Sequence, residues 1–449
     1  MENRRIKMSK LQEIYDEARQ YFIGGASAGG RFNSTLQQPL YLKSASGSRI
    51  IDADGKAYID YHTGSGAAFF GHNHPRLREA AEKAMDMGFF MNFETEYHKE
   101  LAKLFHEFFP CAERVRFSNS GTEVTMAAVR VARAYTGKDI VIRFEGHFHG
   151  MNELVWYNHN GARGKKNDIG EVENISDTAG TPQCFSEVIR NVEYNDLESF
   201  ERCVEAHKGQ IAGVLLEPVS FNCGCYPAQK AFLEKVREIC SREGIVLIFD
   251  EVITGLRMRP GSAQAYYGVT PDLATFAKAI GGGFPIAALC GKKEVMEVLN
   301  PLGRTIMSGT YTGALMPVLT SIECMKMAME PDFYDHIDAL ADTLYGGMNA
   351  LMKKHGIPGH VRGIGARFGI YFGVENPEDD YNWRKAGDSY RCDMTKSFLI
   401  KSLRDGLYMH DCGQAAPAHY GFSVQHTMED IEITLNKFDK IFKEMKEEF

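Results

Sequence analysis

From residue 74 to about 299 short apolar runs alternate with longer amphipathic stretches, and the two periods predict strands and helices in turn. Residues 77–87 and 96–109 carry apolar side chains at helical spacing, while VRF, IVIRF, GVLLEPV and IVLIFDEV read as strands separated by further helices. That alternation implies right-handed crossovers and a mainly parallel sheet covered by helices on both faces. On either side the pattern changes. Ahead of it a helix over 11–22 ends at Gly24-Gly25, a Gly-rich loop with one cation, Arg31, follows, and PLYLKSASGSRIIDADGKAYIDY predicts an antiparallel hairpin unit outside the main sheet. Beyond Pro301 helices over 317–329 and 334–355 precede the strand RFGIYFGV. The chain then ends in a helix capped by Thr427 and Asp430, with Ile431, Leu435, Phe438, Phe442 and Met445 along one face. The expected division is an N-terminal helix, loop and hairpin segment (1–73), a large α/β domain (74–299) and a smaller α+β domain (300–449).

Composition narrows the classes. The 449 residues are 44% hydrophobic and 24% charged, and a net charge of −8 leaves no broad positive field for nucleic acid. The N-terminal stretch alternates charge with apolar residues and holds no apolar core, so no secretory signal or membrane span is expected and the chain reads as cytoplasmic. Ten cysteines without a CxxC pair read as reduced thiols.

The chemistry gathers where strands end. The run 245–249 stops at Asp250 and Glu251. Carboxyl ends of parallel strands open into the ligand crevice, so Asp250 is expected to face a ligand. Desolvation would neutralise it unless a cation or donors meet it; a protonated heteroaromatic nitrogen is one such partner, attracted by about 4 kcal/mol at ~4 Å and an effective dielectric near 20. Lys278 stands 28 residues further on, between the apolar stretch 273–277 and Gly281-Gly282-Gly283, where burial would lower its pKa toward the neutral amine that forms imines. Ser120, Gly121 and Thr122 fall between a strand and a helix and read either as a phosphate cradle or as an ordinary cap. Phe148 and His149 follow another strand, where a ring can lie over a flat cofactor. The pairs His147/His149 and His72/His74 lack further ligands at metal spacing, so no metal is expected. Glu217, with Asn222 beyond it, is structural, governs a substrate amine or guards a cation. The hydroxyl-rich turn 308–313, with Gly309 and Thr310, again suits an anion.

Taken together, GGASAGGR, DADG, GHNHP, NSGTE, ARAYTGKD, FEGHFHG, EPV, FDEVITGLR, AQAYYGVTPDL, AKAIGGGFP and GTYTG occur in the order seen in class-III, fold-type-I pyridoxal-phosphate aminotransferases, and the chain resembles their glutamate-1-semialdehyde aminomutase-like branch from about residue 20 to its end. The resemblance implies a fold-type-I α/β architecture and pyridoxal 5′-phosphate as cofactor, carried on Lys278 as an aldimine. It further implies Asp250 on the pyridinium nitrogen, Val252 behind the ring, Phe148 where the family often has Tyr, and Ser120, Gly121 and Thr122 on the phosphate. Thr310, beside Gly309, would reach in from the other subunit of a homodimer, and Arg31 would hold the substrate carboxylate, a task its bidentate fork suits. The position of the aminomutase glutamate falls at Ala418 or a neighbour such as His419, and no arginine follows Arg404. The expected reaction is therefore amino transfer between a carboxylate-bearing amino compound and a keto acid. Aminomutase or racemase chemistry is the alternative, and a non-catalytic protein of this fold the outsider; the spans 158–180 and 415–421 are expected to act as lids.

Overall fold

An eight-stranded sheet forms the centre of the molecule, in the order Arg114–Ser118, Ala287–Gly291, Leu273–Phe276, Val246–Asp250, Ile211–Leu216, Ile140–Phe144, Ile189–Val192, Glu171–Val172. The structure, a computed structural model, describes all residues except 1–8, 89, 160, 162, 377, 379, 380, 412, 414–416 and 418. Four neighbouring pairs are parallel; Ala287–Gly291 and Glu171–Val172 run against their neighbours. Five strands that precede site residues, 114–118, 140–144, 211–216, 246–250 and 273–276, consequently point the same way. The strand period of two explains the apolar runs: Val246 and Ile248 pack with Val124, Ala128 and Val131 on one face, while Leu247 and Phe249 join the larger core on the other.

Helices Pro75–Met87, Glu96–Phe108, Leu315–Ala328 and Phe333–His355 lie where apolar periodicity puts them, within a few residues. The last helix, Met428–Glu448, starts with the expected reciprocal cap of Thr427 and Asp430 and buries Ile431, Phe438, Ile441, Phe442 and Met445. Two expectations change. The first helix covers only Lys10–Ala18; Tyr21, Phe22 and Ile23 are 76%, 50% and 98% exposed, so the apolar run that suggested a longer helix is little buried among the described residues. The hairpin unit is a three-stranded antiparallel meander, Leu42–Ser46, Arg49–Asp52 and Ala57–Asp60, completed by a parallel fourth strand, Leu407–Tyr408, from the far end of the chain. A short strand such as Leu407–Tyr408 carries too little pattern to be recognised alone. Of the two expected lids, Ala415, Ala416 and Ala418 lie outside the described residues. The described part of 158–180 is tied down by Asn158, whose amide bridges Glu173 O at 2.9 Å and Ile175 N at 2.9 Å.

Candidate active site

Five strand ends converge on a cavity of about 380 Å³ lined by Ser120, Gly121, Thr122, Phe148, His149, Glu217, Asn222, Asp250, Val252 and Lys278, among others. The parallel arrangement delivers them: each side chain lies just beyond the carboxyl end of its strand, where the backbone leaves the ladder and side chains are free of the sheet's layers.

Asp250 is 4% exposed. Its Oδ1 accepts from Val252 N at 3.1 Å and from Thr275 Oγ1 at 3.2 Å, Thr275 being its partner on the next strand. Its Oδ2 lies 2.8 Å from His149 Nδ1, which donates because a carboxylate only accepts. Burial lowers the pKa of His149 despite that carboxylate, which favours the neutral imidazole, and its N–H orients Asp250. The adjacent Glu251 faces away, bound by Thr254 Oγ1, Ala263 N and Gln264 Nε2, and burial raises its pKa to about 7.

Lys278 holds a left-handed backbone, φ 49°, at the start of a short 3₁₀ turn, a conformation that persists only where the surroundings enforce it. Its amine is pushed down to about 8, first by burial and then by the guanidinium groups of Arg257 and Arg367. Glu217 moves the other way, up to about 8, through burial and the proximity of Asp250. Its Oε1 accepts from Phe148 N at 2.8 Å and its Oε2 from Asn222 Nδ2 at 3.0 Å, so Glu217 fixes the Phe148 loop and Asn222 together.

At the opposite end stands the N-terminus of the helix Gly121–Thr136. Ser120 caps it, and Glu123 accepts from Asn119 N at 2.7 Å and Ser120 N at 3.0 Å. The first-turn N–H groups of Gly121 and Thr122 have no acceptor within the helix, and both residues line the cavity. Thr122 Oγ1 accepts from Met151 N at 3.2 Å, which leaves its proton free to donate. A Cβ on Gly121 would stand 3.2 Å from Val252, so both close one wall. The cavity therefore offers an anion cradle, a flat apolar wall with Phe148, a buried acid and an amine of depressed basicity, and this set fits a phosphorylated heteroaromatic aldehyde.

Other expected residues lie elsewhere in this chain. Gly309 and Thr310 are outside the cavity lining, and Thr310 is exposed. Arg31 is exposed, donates to Ser27 Oγ at 2.6 Å and lines a second cavity, of about 410 Å³, with His62, His72, Tyr408 and His410. Ala418 lies outside the described residues, and His419 sits 6.2 Å from Phe221, ring to ring. The histidine pairs have protein partners: His147 Nδ1 accepts from Glu217 N, His72 meets Asp60, and His74 caps the helix Pro75–Met87. Arg257 and Arg367, which bear on Lys278, were not legible as site residues, because nothing in their sequence neighbourhoods shows that two guanidinium groups are buried behind the cavity.

The family profile described as Aminotransferase class-III matches residues 32–442. A curated relative, glutamate-1-semialdehyde 2,1-aminomutase of Citrifermentans bemidjiense, is 36% identical over 442 residues, spanning 98% of this chain and 100% of its own. An omega-transaminase from Sphaerobacter thermophilus superimposes with a TM-score of 0.90 at 30% identity over 98% of each chain. A transaminase with PLP bound does so with a TM-score of 0.86 at 27% identity, over 97% of this chain and 98% of the other.

Proposed function

The chain belongs to the class-III aminotransferases, and from that premise we propose that it moves an amino group between a carboxylate-bearing amino acid and a keto acid at the Lys278 cavity. It is an enzyme of the pyridoxal-phosphate-dependent transaminase type. The cofactor supplies the electron sink that makes the Cα proton of an amino compound acidic. The chain supplies the rest. Ser120, Gly121 and Thr122 would hold the phosphate, and Gly309 and Thr310 would complete the cradle from a second subunit. Val252 and Phe148 would flank the ring, and Asp250, oriented by His149, would be the acid that favours a protonated ring nitrogen. Lys278 would hold the aldehyde group and, once released, would be the base that moves the proton off the substrate's Cα. Arg31, Glu217 and Asn222 are assigned to the substrate. Residues 74–299 form the cofactor-binding unit, and 1–73 with 300–449 the remainder.

The observation that carries this reading is the juxtaposition of Lys278, its amine pushed down to about 8 by burial, with the Asp250 carboxyl group in one cavity that ends at a helix N-terminus. A homodimer is supported by Leu302, Ile306 and Tyr311, which are 75%, 64% and 65% exposed around Thr310, apolar surface of the kind that a partner covers. A cytosolic setting is supported by the described cysteines, all free. The test is single-turnover colour change of the loaded enzyme with a panel of amino donors, followed by keto acids. Conversion that needs both is expected. The 36% identity to an aminomutase across the whole chain favours a second reading, internal isomerisation; turnover of glutamate 1-semialdehyde with no acceptor present would establish it instead.

A further inference from the structure

Among the described residues one group of three potential metal ligands lies outside the Lys278 cavity: Glu171, Cys203 and His207, whose donor atoms all fall within 4.8 Å of one another. Local structure builds the set. Cys203 is in the helix Leu197–Ala206 and His207 is the residue that ends it, its N–H donating to Cys203 O, so the two side chains leave the same face one turn apart. Glu171 comes from the edge strand Glu171–Val172, which pairs antiparallel with Asn191 and Val192. Its Oε1 is the focus, 3.5 Å from Cys203 Sγ and 2.6 Å from His207 Nε2. Cys203 is fully buried, whereas Glu171 and His207, with side chains 15% and 18% exposed, line a separate cavity of about 550 Å³ that gives an ion a way in.

The hydrogen bonds of this group do not close. Arg190 Nε donates to His207 Nε2 at 3.0 Å, which requires a lone pair on that nitrogen, yet the same nitrogen stands 2.6 Å from the Glu171 carboxylate, where only a proton on it would be attractive. One nitrogen cannot meet both demands. With Nε2 as the acceptor, two lone pairs confront each other across 2.6 Å, and a cation set between them turns that repulsion into two bonds. Arg190 meets the charge only in part: its Nε is 3.6 Å from Glu171 Oε1, and its Nη1 is held by Glu187 O and Ile189 O, both at 2.9 Å.

We propose that Glu171, Cys203 and His207 bind a divalent metal ion of the zinc type, with a water from the adjoining cavity as fourth ligand. The ligand types decide the class of ion: a thiolate, an imidazole and a carboxylate suit zinc, whereas calcium and magnesium take oxygen alone. Bonds of about 2.0–2.3 Å to a tetrahedral centre set the ligand atoms about 3.4–3.7 Å apart. The Cys203–Glu171 separation of 3.5 Å already fits; the His207–Glu171 one has to open by about 0.8 Å, which a partly exposed side chain at a helix end and another on a two-residue strand allow. As the metal–sulfur bond forms, the thiol proton passes to solvent, and thiolate and carboxylate together balance the two positive charges of the ion. Arg190 then keeps its two carbonyl acceptors. The ion fastens the edge strand, and with it the 158–180 span, to the helix Leu197–Ala206; its role is structural and independent of amino transfer.

The test uses the cofactor-loaded enzyme after treatment with a chelator. Cobalt(II), a spectroscopic stand-in for zinc, should give the d–d absorption of a tetrahedral site at wavelengths beyond those of the cofactor, saturating at one ion per chain, and added zinc should displace it. Zinc should also raise the melting temperature saturably. Cys203→Ser, His207→Gln and Glu171→Gln should each remove the tetrahedral signal and weaken zinc by at least about 100-fold, the upper end of what altering even an outer partner of a metal ligand costs. Because Cys203 is buried, the His207 and Glu171 variants, at partly exposed positions, keep the test decisive if Cys203→Ser does not fold. A wild type without a tetrahedral cobalt signal, or a signal and a zinc-dependent melting shift that survive in both His207→Gln and Glu171→Gln, overturns the proposal.

Discussion

Lys278 and Asp250 mark two outcomes of burying a charge. Asp250 keeps three donors that stabilise its carboxylate in the interior, whereas Lys278, half-buried in the cavity and within the field of two guanidinium groups, loses basicity. The sign is definite: with its pKa moved from 10.5 to about 8, the folded amine is neutral at a pH where an exposed one is still charged. Cofactor uptake by the apoprotein should therefore accelerate with a midpoint near pH 8, and Lys278→Met should remove that step. Between pH 8 and 10.5 the unfolded chain binds the extra proton, so this residue makes stability rise with pH across that window. Turnover in Lys278→Ala should fall by about 10²–10⁴-fold, measured at saturating cofactor. His149→Ala should cost Asp250 a charge-assisted hydrogen bond of about 1.5–3 kcal/mol and weaken cofactor binding roughly ten- to hundredfold in a spectroscopic titration. Asp250 and Lys278 were readable in the sequence from strand end, spacing and the following glycines. The His149–Asp250 contact, across 101 positions, was not, because proximity of that kind is created only when two strands enter one sheet.

At the level of elements, local signals held wherever they were satisfied locally. The C-terminal helix is defined by its cap and its apolar stripe, both within a few residues of one another, and its first turn also meets the N-terminal sheet, where Asp430 accepts from Ser48 Oγ at 2.8 Å and Arg49 Nη2 at 2.6 Å. Thr427→Ala should destabilise by about 1 kcal/mol in urea unfolding, the usual worth of such a cap, and leave the cofactor absorbance unchanged. The helix Gly121–Thr136 shows the same device put to a further use: Glu123 takes the N–H groups of Asn119 and Ser120, and those of Gly121 and Thr122 are left to the cavity. Sequence alone could not separate cap from cradle there, since Ser-Gly-Thr satisfies either requirement. The first helix is shorter than its pattern because an apolar stripe stabilises a helix only where another surface buries it.

Across the whole molecule the two ends of the chain close one sheet, Leu407–Tyr408 pairing with Ala57–Asp60, and so the segment that carries His62 to Ala67 is held between the cavity of Lys278 and the cavity of Arg31. The exposed position of Thr310 makes a prediction at this scale. If a second subunit completes each site, mixing Lys278→Ala chains with chains bearing a disruptive Thr310→Arg should restore about a quarter of wild-type activity, because half the dimers are hybrids with one intact site each. Restoration absent from dimers that have demonstrably exchanged would rule out the shared site.

By itself the sequence determined the alternation of strands and helices, the place of the acid and the amine at strand ends, and the caps, since each depends on periodicity or on neighbours a few residues apart. The tertiary structure alone decided that His149 orients Asp250, that the charges of Arg257 and Arg367 bear on Lys278, that Arg31 opens on a different cavity, and that residue 407 completes a sheet begun at residue 42. Those relations join positions far apart in the chain, and they exist only once burial of the apolar faces has fixed which strands lie side by side.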